Sequence, residues 1–385
     1  MNDMIKQFIS TSSILLLLNT LNNNLFGQQY EVVLTDSIIV ESLEQLQITD
    51  YSPKKDRFLV YGTISKKCME IDRNGKIISE VDLNGEGPGH FGQGISELGY
   101  FGDDIILNGA NIYLTYDGDW NYKKRIVYTS GGGWYPIGWL PSTTESIVRS
   151  DKAAIVKPFD HSYFGTKRLP NDYFSKAKMI EVISSPSQES KTLLEYPKQS
   201  VYQSQSTFYN SHKATISYNS EKDRLYLALP LEPKIYVYDT DDFSLLNTYT
   251  LDLTSFRTPQ GIPFEDQHKN SKGVSPLNQL SKVYGYANSM IFRLSSEGDI
   301  TIVEYKTGFK KETNAKTLEE ASAIFERENR QMTAFYKGDK KIADFEKRYN
   351  KIVRMTEYSF LAHEINTEEE LDYSKFYIYE LREVN

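Results

Sequence analysis

From residue 30 to near the C terminus, short runs of β-branched, aromatic and aliphatic residues alternate with clusters of Gly, Asn, Asp and Ser. Runs of four to eight such residues between turn-forming clusters predict strands rather than helices. Residues 29–34 and 37–40 predict two opening strands, and 43–48 is too short to classify. Residues 58–61, 68–71 and 76–81 follow as strands, with Asp72-Arg73-Asn74-Gly75 as the hairpin between the last two, because Asn-Gly accepts the left-handed turn geometry that most residues resist. A second unit is predicted at 104–107, 111–116 and 125–128, and a third at 146–149, 153–156, 177–183 and 192–196. The clearest unit has four strands, at 214–218, 224–229, 234–239 and 245–249. A fifth includes 283–286, 290–294 and 300–305, with Gly298-Asp299 at the reversal, and a sixth 352–355, 359–362 and 376–381. Four short strands joined by polar turns make one propeller blade, so the expectation is an all-β, six-bladed β-propeller. Residues near Val32 are expected to pair with the last sheet and remove an open edge.

One region breaks this rhythm. Between 313 and 349, Leu318, Ala321, Phe325, Met332 and Phe335 recur near helical spacing, with Glu319, Glu320, Glu326, Arg327, Glu328 and Arg330 between them. The spacing predicts a helical insertion over 313–349, before the last blade, that covers a rim or presents a partner-binding face.

The N terminus adds a targeting signal. A weakly basic start leads into the apolar run Ile14-Leu15-Leu16-Leu17-Leu18, too short for a membrane span and followed by the polar Asn22-Asn23-Asn24. Residues 1–27 read as a signal peptide cut near Phe26-Gly27-Gln28, leaving 28–385 as the propeller domain. The expected location is periplasmic or extracellular, with no transmembrane anchor and no cysteine near the cut to accept a lipid. Cys68, the single cysteine, has no partner for an intramolecular disulfide and reads as a buried thiol. With 28 Tyr and 19 Phe the chain can fill a large core, and its net charge of −8 disfavours nonspecific attraction to nucleic acid or anionic lipid.

Candidate chemistry is sparse. The run Gly85-Glu86-Gly87-Pro88-Gly89-His90 lacks the lysine and hydroxyl residue of a phosphate-binding loop and meets no dinucleotide fingerprint. Asn84, Glu86 and His90 are ligand-contact candidates at a central rim, against a turn-forming role for the same loop. Trp120, Trp134, Tyr135, Trp139 and Phe159 form the aromatic region most suited to stacking on a sugar or anchoring a peptide, against a role in filling the sheet interfaces. The histidines His90, His161, His212, His268 and His363 show no metal-ligand spacing, and no cofactor is predicted. Calcium stays open only through Asp103, Asp104, Asp117, Asp119 and Asp160, should the sheets gather them. Glu221, Asp223, Asp239, Asp241 and Asp242 read as solvated turns.

Leu83-Asn84-Gly85-Glu86-Gly87-Pro88-Gly89-His90-Phe91 and the closing Leu371-Asp372-Tyr373-Ser374-Lys375-Phe376-Tyr377-Ile378-Tyr379-Glu380-Leu381 resemble a six-bladed β-propeller family of secreted or lipid-anchored Bacteroidota proteins, grouped under a domain-of-unknown-function label. The resemblance covers about residue 30 to the C terminus and implies six blades. Many relatives carry a lipidated N-terminal cysteine, which this chain lacks, and no catalytic residue carries over. The leading functional expectation is a noncatalytic binding or sensory scaffold for a peptide, protein or glycan. The alternative is a secreted carbohydrate-active or other hydrolase with an axial-rim site.

Overall fold

The computed structural model describes residues 30–92, 94–109, 112–128, 145–149, 153–159, 172–185, 187–204, 206–207, 213–258, 262–263, 289–308, 318–346, 351–363 and 372–384. Strand β1 (Tyr30–Glu41) belongs to the last blade. Blade 1 is β2 (Leu46–Ser52), β3 (Arg57–Gly62), β4 (Cys68–Ile71) and β5 (Ile77–Val81), and blade 2 is β6 (Glu97–Phe101), β7 (Asp104–Gly109), β8 (Ile112–Tyr116) and β9 (Tyr122–Val127). Blade 3 is β10 (Ser146–Val148), β11 (Ala153–Pro158), β12 (Lys178–Ser184) and β13 (Ser190–Glu195), with the one-turn helix α1 (Tyr173–Lys176) between its middle strands. A two-stranded pair, β14 (Ser206–Thr207) and β19 (Ile262–Pro263), flanks blade 4, which is β15 (Thr215–Asn219), β16 (Arg224–Ala228), β17 (Lys234–Asp239) and β18 (Leu245–Thr250). Blade 5 is β20 (Met290–Glu297), β21 (Ile300–Lys306), β22 (Gln331–Lys337) and β23 (Lys340–Glu346), with helix α2 (Leu318–Glu328) between β21 and β22. Blade 6 is β24 (Lys351–Arg354), β25 (Ser359–His363) and β26 (Tyr373–Glu383), completed by β1. The molecule is a six-bladed β-propeller, as the strand pattern predicts.

Each seam between neighbouring blades has its own apolar cluster. Between blades 6 and 1, for instance, Ile38, Leu46, Ile48, Phe58, Val353, Leu361 and Phe376 pack together. A blade is therefore buried on both faces, and central strands read as unbroken apolar runs rather than as alternations. The helical insertion expected before the last blade is present as Leu318–Glu328, but its extent is shorter than 313–349: among the described residues of that span the helix lies inside the fifth blade, and residues 331–346 supply that blade's two outer strands. Met332 packs into the blade 4/5 seam and Phe335 into the blade 5/6 seam, on opposite faces of one strand. A three-residue spacing of large apolar groups therefore arises here without a helix.

The ring closes as expected, with Val32 opposite Leu381. The two predicted opening strands are one strand, bent by a bulge between Leu34 and Asp36, where the Thr35 hydroxyl donates to the Ile378 carbonyl at 3.2 Å. Tyr30 pairs with Glu383, so the first and last strands meet end to end.

Successive antiparallel strands distribute the connections between two faces. Turns from first to second strand (53–56, 102–103, 149–152, 220–223, 298–299, 355–358) and from third to fourth (72–76, 117–121, 185–189, 240–244, 338–339) are all short and lie on one face. The long connections, 82–96, 128–145, 159–177, 196–214, 251–289 and 307–330, start and end on the other. We call these the hairpin face and the loop face. Tyr30 and Glu383 stand on the hairpin side.

Candidate functional site

The innermost strand of each blade has one edge in its ladder and one edge toward the propeller axis. Backbone N–H groups on that second edge need acceptors from elsewhere. Side chains of neighbouring blades supply them. Asp50 on β2 accepts from the Tyr100 N–H of β6 at 2.8 Å and from its own neighbour Tyr51 N–H at 2.8 Å. Glu145, just ahead of β10, accepts from the Tyr218 N–H of β15 at 3.0 Å. Ser217 on β15 accepts from the Ser296 N–H of β20 at 3.0 Å. The polar residues of the inner strands thus tie blade 1 to 2, 3 to 4 and 4 to 5.

Two bulges set the directions of charged groups. The register shifts between Ile48 and Asp50 in β2, and between Ile291 and Arg293 in β20. An extra residue in one strand re-aims the side chains beyond it, a device frequent beside binding sites. Arg293 lies 3.3 Å from the buried Glu304 carboxylate on β21. Lys351, the first residue of β24, is buried at the same axial wall.

The electrostatics follow from this crowding. Burial raises the Asp50 carboxyl to about 6, against the lowering pull of its two N–H donors and of Lys351. Glu145 is raised to about 8, first by burial and further by the carboxylates of Asp50, Glu97 and Glu297, while the Tyr218 N–H opposes. Burial lowers Lys351 to about 7, with the Arg293 cation adding to the effect and Asp50 opposing it. Groups with displaced proton affinity gathered in one place are a mark of functional sites, and structural ion-pair networks give the same mark. None of these residues stood among the sequence candidates.

The glycine-rich loop lies elsewhere. Asn84 donates from its backbone and its amide to Asp82 Oδ1, at 3.0 and 2.8 Å, which makes a turn of 82–84. Glu86 is exposed. The His90 N–H donates to the Gly87 carbonyl at 3.2 Å, and the buried Nδ1 of its ring has no partner. Gly89 has φ of +77°, its carbonyl accepts from the Tyr116 hydroxyl at 2.8 Å, and a Cβ there would stand 3.0 Å from the ring of Tyr122 on the outermost strand β9. The loop therefore seals the outer part of the blade 1/2 seam rather than the axial rim. Trp120 belongs to the same seam, only 7% exposed, with its indole N–H donating to Ser79 Oγ at 3.0 Å and its ring 6.0 Å from Tyr116. Trp134, Tyr135 and Trp139 lie outside the described residues, on the 128–145 connection that joins β9 to β10 at the loop face. Asp103 and Asp104 are engaged by Lys54 and Lys123, and Asp117 caps its own turn through Asn121. Among the described residues, no group of three or more His, Cys, Asp or Glu is placed to hold a metal ion. No described helix is long and apolar enough to cross a membrane.

The fold and the axial belt define a closed six-bladed propeller with a polar inner wall and unequal faces. No family model matches the sequence, and no curated protein matches it. Solved structures do match the fold. A member of the DUF4221 family from Bacteroides vulgatus superposes with a TM-score of 0.64 at 10% identity, over 93% of this chain and 100% of that one. A proposed exported protein of Bacteroides fragilis superposes with a TM-score of 0.52, also at 10% identity, over 94% of this chain and 97% of that one. At such identities the likeness is one of fold.

Proposed function

We propose that the protein is an exported binding scaffold that recognises a peptide, protein or glycan on its loop face. The observation that carries this reading is the division of the connections: every long one rises from a single face, while the opposite face has only tight hairpins. Binding loops on a rigid propeller are a common use of the architecture. Export is supported by the signal-like residues 1–27 and by the exported relative in fold from Bacteroides fragilis. Trp134, Tyr135 and Trp139 are the proposed stacking groups, with Asn84, Glu86 and His90 of the 82–96 connection as the lesser set; Trp120, buried in the blade 1/2 seam on a hairpin-face turn, is not among them.

The test is binding of the protein to peptide and glycan arrays, with hits measured by calorimetry. Replacing Trp134, Tyr135 and Trp139 together by Ala is expected to weaken the best hit at least about tenfold, as loss of one aromatic anchor typically does. Replacing the hairpin-face residues Asp119 and Asp242 by Ala is expected to leave it unchanged. The reverse pattern sinks the reading. A second reading, hydrolysis at the axis, draws on Asp50 and Glu145, since a carboxyl held protonated at neutral pH beside an ionised one is an acid and base pair in kind. Product analysis of the same hits separates the two, because only hydrolysis releases fragments that Asp50→Asn abolishes.

A further inference from the structure

The outermost strand of each blade has one backbone edge without a ladder partner, and such an edge is a template for pairing with another chain unless charged side chains blunt it. Among the described residues, five of the six outer strands carry such charges, with Glu80 in β5, Lys123 in β9, Lys191 in β13, Lys340 in β23 and Glu31 in β1. Blade 4 differs. Its outer strand β18 reads Leu245-Leu246-Asn247-Thr248-Tyr249-Thr250, with no charged residue and no proline, and all but Tyr249 are exposed. Leu245 and Leu246 stand 50% and 48% open, so no described element covers this edge. The backbone directions follow from hydrogen bonds. The Leu251 N–H donates inward, to the Pro233 carbonyl ahead of β17, at 2.8 Å. Antiparallel ladders alternate inward and outward residues, so Tyr249 points inward with Leu251, while Thr248 and Thr250 turn their N–H and C=O groups to the open side. In keeping with this, the Thr248 N–H meets the side-chain Oδ1 of exposed Asn247 at 2.8 Å. The bulge at Leu246 ends the regular stretch.

We infer that β18 is a self-association edge, pairing antiparallel with β18 of a second copy about a two-fold axis at Thr248. In that register the two Thr248 residues exchange N–H···O=C bonds, Asn247 stands opposite Tyr249, Leu246 stands opposite Thr250, and the two blades continue as one sheet. The charge pattern selects a second copy as the occupant. A strand without charge meets itself with no like charges opposed. By contrast, β9 against its own copy would crowd Lys123, Lys124 and Arg125 together, and β1 would crowd Glu31, Asp36 and Glu41. Each β18 runs from the hairpin face toward the loop face. Antiparallel pairing therefore points the two loop faces in opposite directions and leaves both open. The inference is independent of what the loop face binds.

One strand pair is a small interface, at the weak end of specific contacts, so the test is sedimentation velocity from about 1 to about 300 μM. The sample is residues 28–385, which hold every described strand. The sedimentation coefficient is expected to climb from the monomer value toward the dimer value across that range. Thr248→Lys sets two ammonium groups face to face on the two-fold axis and should weaken the dimer at least about tenfold. Thr248→Pro removes the outward N–H, which an edge strand of the monomer tolerates, and should do the same. Thr192→Lys, at an exposed position of the outer strand β13, should leave the dimer intact. Circular dichroism checks the fold of each variant, and the lysine variant decides the matter if the proline variant does not fold. A chain that stays monomeric at about 300 μM, a dimer indifferent to Thr248→Lys, or one that Thr192→Lys dissolves equally would overturn the inference.

Discussion

At the scale of single residues, the axial carboxyls make stability depend on pH in a direction opposite to that of ordinary ion-paired acids. The folded chain holds the Glu145 proton to about 8 from an ordinary value of 4.5, and the Asp50 proton to about 6 from 3.8. Between these limits the folded chain binds more protons than the unfolded one. The contribution is therefore complete at low pH and is lost as pH rises through the folded values. Lys351 acts in the other sense. Its folded value of about 7 lies below the ordinary 10.5, so from pH 7 to 10.5 the unfolded chain binds more protons and stability gains with pH. The melting temperature should fall from pH 5 to 8. Glu145→Gln keeps an acceptor for the Tyr218 N–H, and it should flatten this slope and stabilise the protein at pH 8 by about 1 kcal/mol. A parallel slope in both proteins, followed by calorimetry, would refute the assignment of Glu145 as its source.

At the scale of elements, the 72–76 hairpin shows how a local signal serves a distant contact. Gly75 has φ of +79°, and a Cβ there would fall 1.8 Å from the Ile39 carbonyl oxygen of β1. Gly75→Ala should cost about 1–2 kcal/mol from backbone conformation alone, with a further loss from pushing the hairpin off the closing strand. Urea unfolding measures both, and an unchanged midpoint would mean that the contact is slack. The Asn74-Gly75 turn was legible in the sequence because turn chemistry is local. So were the middle and outer strands, whose apolar runs stand out between polar turns. The innermost strands of blades 1 and 2 were not. In β2, Gln47, Thr49 and Asp50 interrupt the apolar pattern, and in β6 Glu97 and Gly99 do the same. One of those interruptions, Asp50, is itself a residue of the candidate site, and Glu97 acts on Glu145, so polar groups that serve the inner edge also hide its strands. The bulge ahead of Asp50 adds a change of direction that no period in the sequence records. At β22 the error ran the other way: Met332 and Phe335 are apolar because both faces of a blade are covered, and their spacing imitates a helix.

At the scale of the whole molecule, six apolar seams hold the ring, polar side chains stitch its inner edge, and the connections divide its two faces into one of tight turns and one of long excursions. The meeting of Tyr30 with Glu383 has a consequence for how the chain can be rearranged. The propeller from Tyr30 to Glu383 is nearly a circle, open at one place where its first and last strands are paired. Joining Glu383 to Tyr30 through a short glycine–serine linker, without residues 1–29, and opening the chain at the exposed Gly338-Asp339 turn gives a circular permutant with every described strand pairing retained. Circular dichroism of this permutant should match that of the parent, with a melting temperature within a few degrees, because termini that lie together tolerate such rewiring. A permutant that stays unfolded would mean that β1 must be free to dock last. If it folds, the order in which the blades leave the ribosome is immaterial to the finished ring, and either the old ends or the new ones can carry an attachment without crossing the loop face.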